Sequence, residues 1–347
     1  MKIKVCGAGW YGCHIALSLI RDGHEVELHE IADRLFAGAS GGNPARLHLG
    51  FHYPRSALTR AACQQHQAAF MAEYGHLTRA VPVNIYAVAA EESLVDFGTY
   101  KQVLGDEVQF VDIHNPYEFG LANVEGALLT GERHIVIDEA RQFFTEALGD
   151  VVKLNVPREQ SKSSVGDFDL VIDCTFCAND AQNIDRFEPC VTGILEGPSD
   201  KAVTIMDGPF PSLFPWDESR DLSSLTSAKH TPLARCATYE EARAVLDSVT
   251  VAQVDKVVRQ MFDQIRHFYP GADAYKPVAN KLGIRAMPRS GAAARLVDIV
   301  VDKPKKYMRV RAGKIDAILY AEEAVRNYLA SSYRVPNKHR SRAQAIH

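Results

Sequence analysis

Between residues 46 and 55 the chain reads Arg46-Leu47-His48-Leu49-Gly50-Phe51-His52-Tyr53-Pro54-Arg55, so two histidines, two arginines and a tyrosine fall within ten residues. Ionisable groups at that density are costly to bury unless they line a wet pocket or meet an anion. An imidazole takes or gives a proton near neutral pH, and a guanidinium holds a carboxylate through two parallel hydrogen bonds. If the segment is extended, Arg46, His48, Gly50 and His52 share one face. Each histidine is equally suited to a structural hydrogen bond, and each arginine to an ion pair with an acid of the protein.

A second pattern lies at the N-terminus, where Gly7-x-Gly9-x-x-Gly12 follows an apolar strand and opens a helix. Gly7 permits the tight turn, Gly9 lets backbone approach a pyrophosphate, and Gly12 lets helix and strand pack closely. The helix start then presents free N–H groups and a partial positive charge to the phosphates. Glu30, ending the next strand, is placed to accept hydrogen bonds from ribose hydroxyls. The unit is a dinucleotide site, and by itself it suits FAD and NAD(P) equally.

Positioning these groups requires a run of elements along the chain. Residues 2–6 read as a strand, His14 to Asp22 as a helix, Val26 to Glu30 as a strand, and Ala37 to Pro54 as a ligand-lining loop dense in Gly, Ser, Asn and Pro. A helix is predicted from Arg60 to Tyr74 and a strand from Val81 to Val88, with helical and loop segments to about Leu129. Glu132–Ile137 reads as a strand, Asp138 as the cap of a helix Glu139–Leu148, Val151–Val156 as a short strand holding Val152, and Asp169–Asp173 as a buried strand. Residues from about Val191 to Arg235 alternate as an antiparallel sheet does, before helices at Tyr239–Leu246 and Val251–Phe268. Lys306–Val310 reads as a strand, Ala312-Gly313-Lys314 as a turn, Ala317–Leu329 as a helix, and residues 333–347 as a basic flexible tail.

Composition narrows the function classes. With 347 residues, 46% of them hydrophobic, the chain is long enough for two lobes. A net charge of -4 gives no broad basic surface for nucleic acid or anionic lipid. The apolar start is too short and glycine-interrupted to span a bilayer or serve as a leader. Seven cysteines form an odd set without metal-ligand spacing, as expected of thiols kept reduced in a cytoplasm. No metal site is expected, and Cys174 with Cys177 lacks the context of a redox pair.

The fingerprint, the Gly38–Tyr53 loop with Ala39-Ser40-Gly41-Gly42-Asn43-Pro44-Ala45-Arg46, the strand Phe168–Thr175 ending on small polar residues, the turn Val310–Ile315 and Gly283-Ile284-Arg285 together resemble the D-amino-acid oxidase, glycine oxidase and sarcosine oxidase superfamily of flavoproteins. Two departures stand out: the pair after the middle strand is Thr175-Phe176 in place of Thr-Gly, and the final turn has fewer glycines. The resemblance implies an α/β fold, with a Rossmann-like FAD-binding domain (a parallel sheet with flanking helices) and a substrate domain on a mixed or antiparallel sheet. Residues 1–75, 130–190 and 275–332 are expected to form the discontinuous FAD domain, and 76–129 with 191–274 the substrate domain. It also implies FAD as cofactor, contacted by Gly7, Ala8, Gly9, Trp10, Tyr11, Gly12, Glu30, Ser40, Asn43, Arg46, Leu47, Val152, Cys174, Thr175, Arg285, Gly313, Lys314 and Ile315.

The reaction so implied moves a hydride from a small amine, amino acid or 2-hydroxy acid to flavin N5. Arg46 and Arg285 are the leading anchors for an anionic substrate, ahead of Arg289 and Arg55. His48, His52, Tyr53 and His230 are the remaining candidates for the site, and Lys314 for balancing negative charge on the reduced flavin. Two alternatives stay open: a flavin-dependent sugar-nucleotide mutase without net redox turnover, and an NAD(P)-dependent dehydrogenase. The expected partner is a small molecule, with neither nucleic acid nor membrane, and the chain is compatible with a homo-oligomer.

Overall fold

The structure is a computed structural model, and it describes residues 1–105, 107–158, 160, 166–179, 181–289, 297–311 and 313–332. The basic tail and Ala312 of the final turn lie outside the described residues. The first part of the chain runs β1 (Lys2–Cys6), α1 (Trp10–Arg21), β2 (Glu25–His29), α2 (Ala39–Gly42), β3 (Arg46–Leu47), α3 (Ala57–Tyr74), β4 (Thr78–Ala80) and β5 (Val83–Ala89). It continues through α4 (Phe97–Leu104), β6 (Phe110–Ile113), β7 (Val124–Thr130), β8 (Arg133–Ile135), α5 (Ile137–Leu148), β9 (Val152–Lys153) and β10 (Leu170–Asp173). Then follow β11 (Ile184–Glu196), β12 (Lys201–Met206), β13 (Pro211–Asp217), β14 (Leu222–Ser227), α6 (Tyr239–Ser248) and α7 (Val251–Phe268). β15 (Lys276–Pro288), β16 (Asp298–Asp302), β17 (Tyr307–Arg311) and α8 (Ile318–Ser332) complete the described part.

These strands form three sheets. The first has the order β16-β17-β10-β1-β2-β9 and is parallel except where β16 meets β17. Ile3, Val5, Leu28, Leu170 and Ile172 are fully buried in it, as parallel strands covered on both faces must be. The second, β15-β11-β14-β13-β12-β5-β7-β6, is antiparallel apart from the β12–β5 pair. A small third sheet, β3-β8-β4, carries the residue-46 segment. The α/β class with a parallel sheet and a second mixed sheet is as expected.

Aromatic packing fixes the helices around the first sheet. Trp10 at the start of α1 stacks on Phe36 at 5.1 Å and meets Phe144 of α5 edge-on at 5.5 Å, and Phe70 and Tyr74 of α3 close the cluster. On the second sheet, Val254, Val258, Met261, Ile265 and Phe268 form the buried stripe of α7, at the helical spacing its sequence shows.

Several local expectations are corrected. The loop to Leu129 contains two strands, β6 and β7. Their signal was weak because β7 is buried through Gly126-Ala127-Leu128, where a Cβ on Gly126 would lie 2.2 Å from the Phe97 ring, so small residues replace the usual alternation. β15 and β16 were also missed. Asp138 does not cap α5: Val136 occupies that position, and Asp138 pairs with Arg141 inside the first turn. α1 begins at Trp10 rather than His14, directly from the glycine turn. Because Phe144 is fully buried among four other rings, Phe144→Ala is expected to cost about 3–5 kcal/mol, read as a lower denaturation midpoint with an unchanged slope.

Candidate active site

Strand β1 delivers the chain to Gly7, whose φ of +93° and closeness to the Cys174 carbonyl, 2.8 Å from where a Cβ would sit, exclude a side chain. Gly12 is tighter still, since its Cβ would fall 1.8 Å from the Gly7 carbonyl oxygen. The turn is therefore bare backbone leading into α1. Ala8 N–H donates to Glu30 Oε2 at 2.6 Å and Ala32 N–H to Glu30 Oε1 at 3.0 Å, which holds the acid at the end of β2 against the turn. Ser40 of α2 reaches over the same turn, and its Oγ accepts from Trp10 N–H at 3.0 Å. Asn43 braces that loop through the Ala39 carbonyl and the Ala45 N–H.

Two later segments return to this cradle. Cys174 N–H donates to the Cys6 carbonyl, and Asp173 accepts from Thr175 N–H, Thr175 Oγ1 and the Tyr307 hydroxyl. At the far end of the chain, Gly313 N–H donates to the Tyr11 hydroxyl at 3.2 Å, and that hydroxyl donates to the Lys314 carbonyl at 2.5 Å. Ile315 opens the 3-10 turn Ile315–Ala317 that leads into α8. Val152 pairs with Leu28 beside the end of β2, and Leu47 pairs with Arg133.

The residue-46 segment is not extended throughout. Only Arg46 and Leu47 are strand; at Gly50, with φ +108° and a virtual Cβ 3.2 Å from Arg60 Cα, the chain turns, closed by Tyr53 N–H to the Gly50 carbonyl. The turn still gathers the rings, with His48–His52 at 5.9 Å, His48–Tyr53 at 5.6 Å and His52–Tyr53 at 5.4 Å. Lys314 Nζ lies over the Tyr53 ring, 3.5 Å from its centroid, and contacts Cys63 Sγ of α3.

Behind these rings stands Glu132, only 1% exposed. It accepts from Leu49 N–H at 2.7 Å and from the Tyr86 hydroxyl at 2.5 Å, lies 3.5 Å from His48 Nδ1, and is 3.9 Å from Arg46 Nε. Arg46 extends into the second sheet, donating to Tyr86 at 2.7 Å, Thr204 at 2.9 Å and Ser212 at 2.8 Å above the Phe214 ring. Burial lowers His48 to about 4, against the pull of Glu132, so the imidazole is neutral at neutral pH. Burial alone would raise Glu132, but His48, Arg46 and Tyr86 outweigh it and bring its carboxyl down to about 2.

No family model matches the chain. Over 338 residues it is 34% identical to the FAD-dependent monooxygenase FPY4 of Fusarium mangiferae, an alignment that covers 93% of this chain and 90% of that protein. The FAD-dependent monooxygenase kojA of Aspergillus flavus is 28% identical over 310 residues, 78% of this chain and 72% of that one. Glycine oxidase from Geobacillus kaustophilus superposes with a TM-score of 0.69 at 15% identity, covering 96% of this chain and 95% of that one. L-proline dehydrogenase from P. horikoshii does so at 0.66 and 13%, with the same coverages. The chain belongs to the family of these FAD-dependent monooxygenases, and its fold is that of glycine oxidase and L-proline dehydrogenase.

FAD is the cofactor of this oxidoreductase, and the nicotinamide alternative gives way to it. The residues fit the group: a turn with no room for side chains, a helix N-terminus behind it, and Glu30 on the neighbouring strand. No helix among the described residues is long and apolar enough to cross a membrane.

The candidate residues do not all converge. His48, His52, Tyr53, Lys314 and the base of Arg46 lie together. Arg285 instead pairs with the buried Glu188, through Nε at 3.0 Å and Nη2 at 2.5 Å, and Arg55 pairs with Asp207. His230 follows β14, where its N–H donates to Ser227 Oγ, and among the described residues it shares no hydrogen bond, ion pair or ring contact with the cluster. Glu132, Tyr86 and Cys63 escaped sequence reasoning. An isolated acid next to a short strand carries no local signal, and its partners lie 46 and 83 residues away.

Gly12→Ala should yield oxidoreductase purified without flavin absorbance, because the methyl group cannot coexist with the Gly7 carbonyl. Glu132→Ala, which leaves Arg46 charged and buried without its acid, should cost about 3–5 kcal/mol in urea unfolding. The wild type should lose stability on acidification in two stages. His48 is harder to protonate folded than unfolded, which removes stability as pH falls from its ordinary 6.5 towards about 4. Glu132 removes more as pH falls from 4.5 towards about 2, and that second stage should be absent in Glu132→Ala.

Proposed function

We propose that the enzyme oxidises a small organic substrate at a carbon bearing a hydroxyl or amine, with a hydride passing from that carbon to the flavin. FAD supplies the hydride acceptor, N5 of its isoalloxazine. The observation that carries the reading is the His48 imidazole 3.5 Å from Glu132, grouped with Tyr53 and Lys314. A neutral imidazole accepts the proton of the hydroxyl or ammonium as the hydride leaves, and Glu132 favours the charged imidazole that results. The Lys314 ammonium, kept charged by Tyr53, Cys63 and Asp316 despite its burial, favours negative charge arriving at this end of the site.

The two arginines first considered for a substrate carboxylate are both committed to protein partners. Lys314 is therefore the cation we assign to the reaction, and hydroxyl- or amine-bearing substrates are favoured over those that need a bidentate arginine. The names of the fungal relatives support a second reading, insertion of one oxygen atom of dioxygen into the substrate with the other leaving as water. That reaction requires an external electron donor, which separates it from direct oxidation.

Anaerobic titration of the holoenzyme with amines, amino acids, hydroxy acids, hydroxylated heterocycles and sugar nucleotides tests the reading. Bleaching of the flavin by a substrate alone is the expected outcome. Bleaching only by reduced nicotinamide, with labelled oxygen appearing in the product, supports monooxygenation instead, and isomerisation of a sugar nucleotide by pre-reduced enzyme supports the mutase. His48→Gln should keep its flavin and slow bleaching by about 10²–10⁴-fold, and the wild-type rate should fall on the acid side as His48 becomes protonated.

A further inference from the structure

A small pocket of about 10 Å³ lies beside Lys314, lined by Thr59, Cys63 and His66 of α3 and by Lys314, Asp316 and Ala317 of the final turn. That is roughly room for one water. Asp316 is 3% exposed, and neither of its carboxylate oxygens has a hydrogen-bond partner among the described residues. A buried carboxylate that the Asp316 and Ala317 N–H groups favour only weakly, without a well-formed hydrogen bond, is expensive as an anion and cheaper as a neutral acid. Such a group calls for an explanation, and packing does not provide one, because an apolar residue would fill the space without the penalty.

We propose that Asp316 is the proton-holding group of this site, exchanging one proton with solvent through the pocket and past His66. The charged and titratable groups around it are Lys314 on its own turn, Cys63 and His66 on α3, Tyr11 on α1 and Glu132 beyond the turn. Burial raises its carboxyl to about 7 against the opposing pull of Lys314, so at neutral pH both forms are populated. Negative charge arriving beside Lys314 raises its proton affinity further. One proton then leaves solvent, is relayed by the partly exposed His66 and by a water of the size the pocket admits, and ends on an Asp316 oxygen; when the negative charge departs, the proton returns by the same route. Only O–H bonds and, at His66, N–H bonds are made and broken.

The relation to charge arriving at Lys314 rests on the function proposed above, whereas the titration of Asp316 does not, and the two are read separately. Infrared spectra of the oxidised holoenzyme across pH should contain a protonated-carboxyl band that titrates near neutrality and is lost in Asp316→Asn. On photoreduction under argon at pH 7 that band should grow, and in His66→Ala it should grow several-fold more slowly to the same final size. If Asp316→Asn does not fold, Asp316→Glu carries the assignment, since it keeps the acid and moves the band. A neutral-pH band that is absent, or unaffected by either Asp316 variant, overturns the proposal. Growth at the wild-type rate in His66→Ala overturns the route, and a titrating band that ignores photoreduction overturns the coupling while leaving the hydride reaction to be judged by its own titration.

Discussion

A carboxylate with no water around it has to be surrounded by donors, and the placement of Glu132 follows from that requirement. Its donors come from the Leu49 backbone, the Tyr86 hydroxyl of β5 and, at longer range, Arg46, whose other N–H groups reach Thr204 of β12 and Ser212 of β13. Three neighbouring strands of the second sheet are thereby tied to the small sheet β3-β8-β4, and the small sheet adjoins the cofactor cradle through α2. Apolar packing alone is non-directional and fixes such a junction only loosely. A buried charge with specific donors fixes it in register, and the rings of His48, His52 and Tyr53 take their places from that register.

What could be read from the sequence was what physics encodes locally. Gly7, Gly9 and Gly12 stand within one turn of chain, and their roles follow from the absence of a Cβ. The strand at Asp169–Asp173 and the one beginning near Lys306 were recognisable as apolar runs, and both enter the first sheet, the former beside β1 and the latter on its far side. α7 was legible to the residue because its stripe is long and regular and Thr250 with Gln253 forms a capping box at its start. The strands β6, β7, β15 and β16 were not legible: β7 packs through small residues that blur the alternation, β6 and β16 are short edge strands, and β15 pairs with β11 about 90 residues earlier.

The site divides in the same way. His48, His52 and Tyr53 were found as a dense local group, and they do gather, although a turn at Gly50 brings them together where an extended strand was expected. The arginines show the limit of reading residue types. Arg46 and Arg285 have the chemistry of a carboxylate clamp, but whether a guanidinium faces a ligand or groups of its own protein depends on residues 40 to 166 positions away. Glu132 and Asp316 are opposite cases of one residue class: donors outweigh burial at the first and keep it ionised, whereas burial outweighs Lys314 and the nearby backbone N–H groups at the second and draws it towards the neutral acid.

The hydroxyl of Tyr11 bonds to Gly313 across 302 residues of chain. During synthesis the glycine turn leaves the ribosome early and stays half built, because two strands of its sheet and the turn that Tyr11 fastens are made much later. Closure of the turn thus becomes a late event, a latch that shuts only after β17 and the segment behind it have been made. A chain lacking residues 307–332 would leave the glycine turn without β17 and without the turn that Tyr11 fastens.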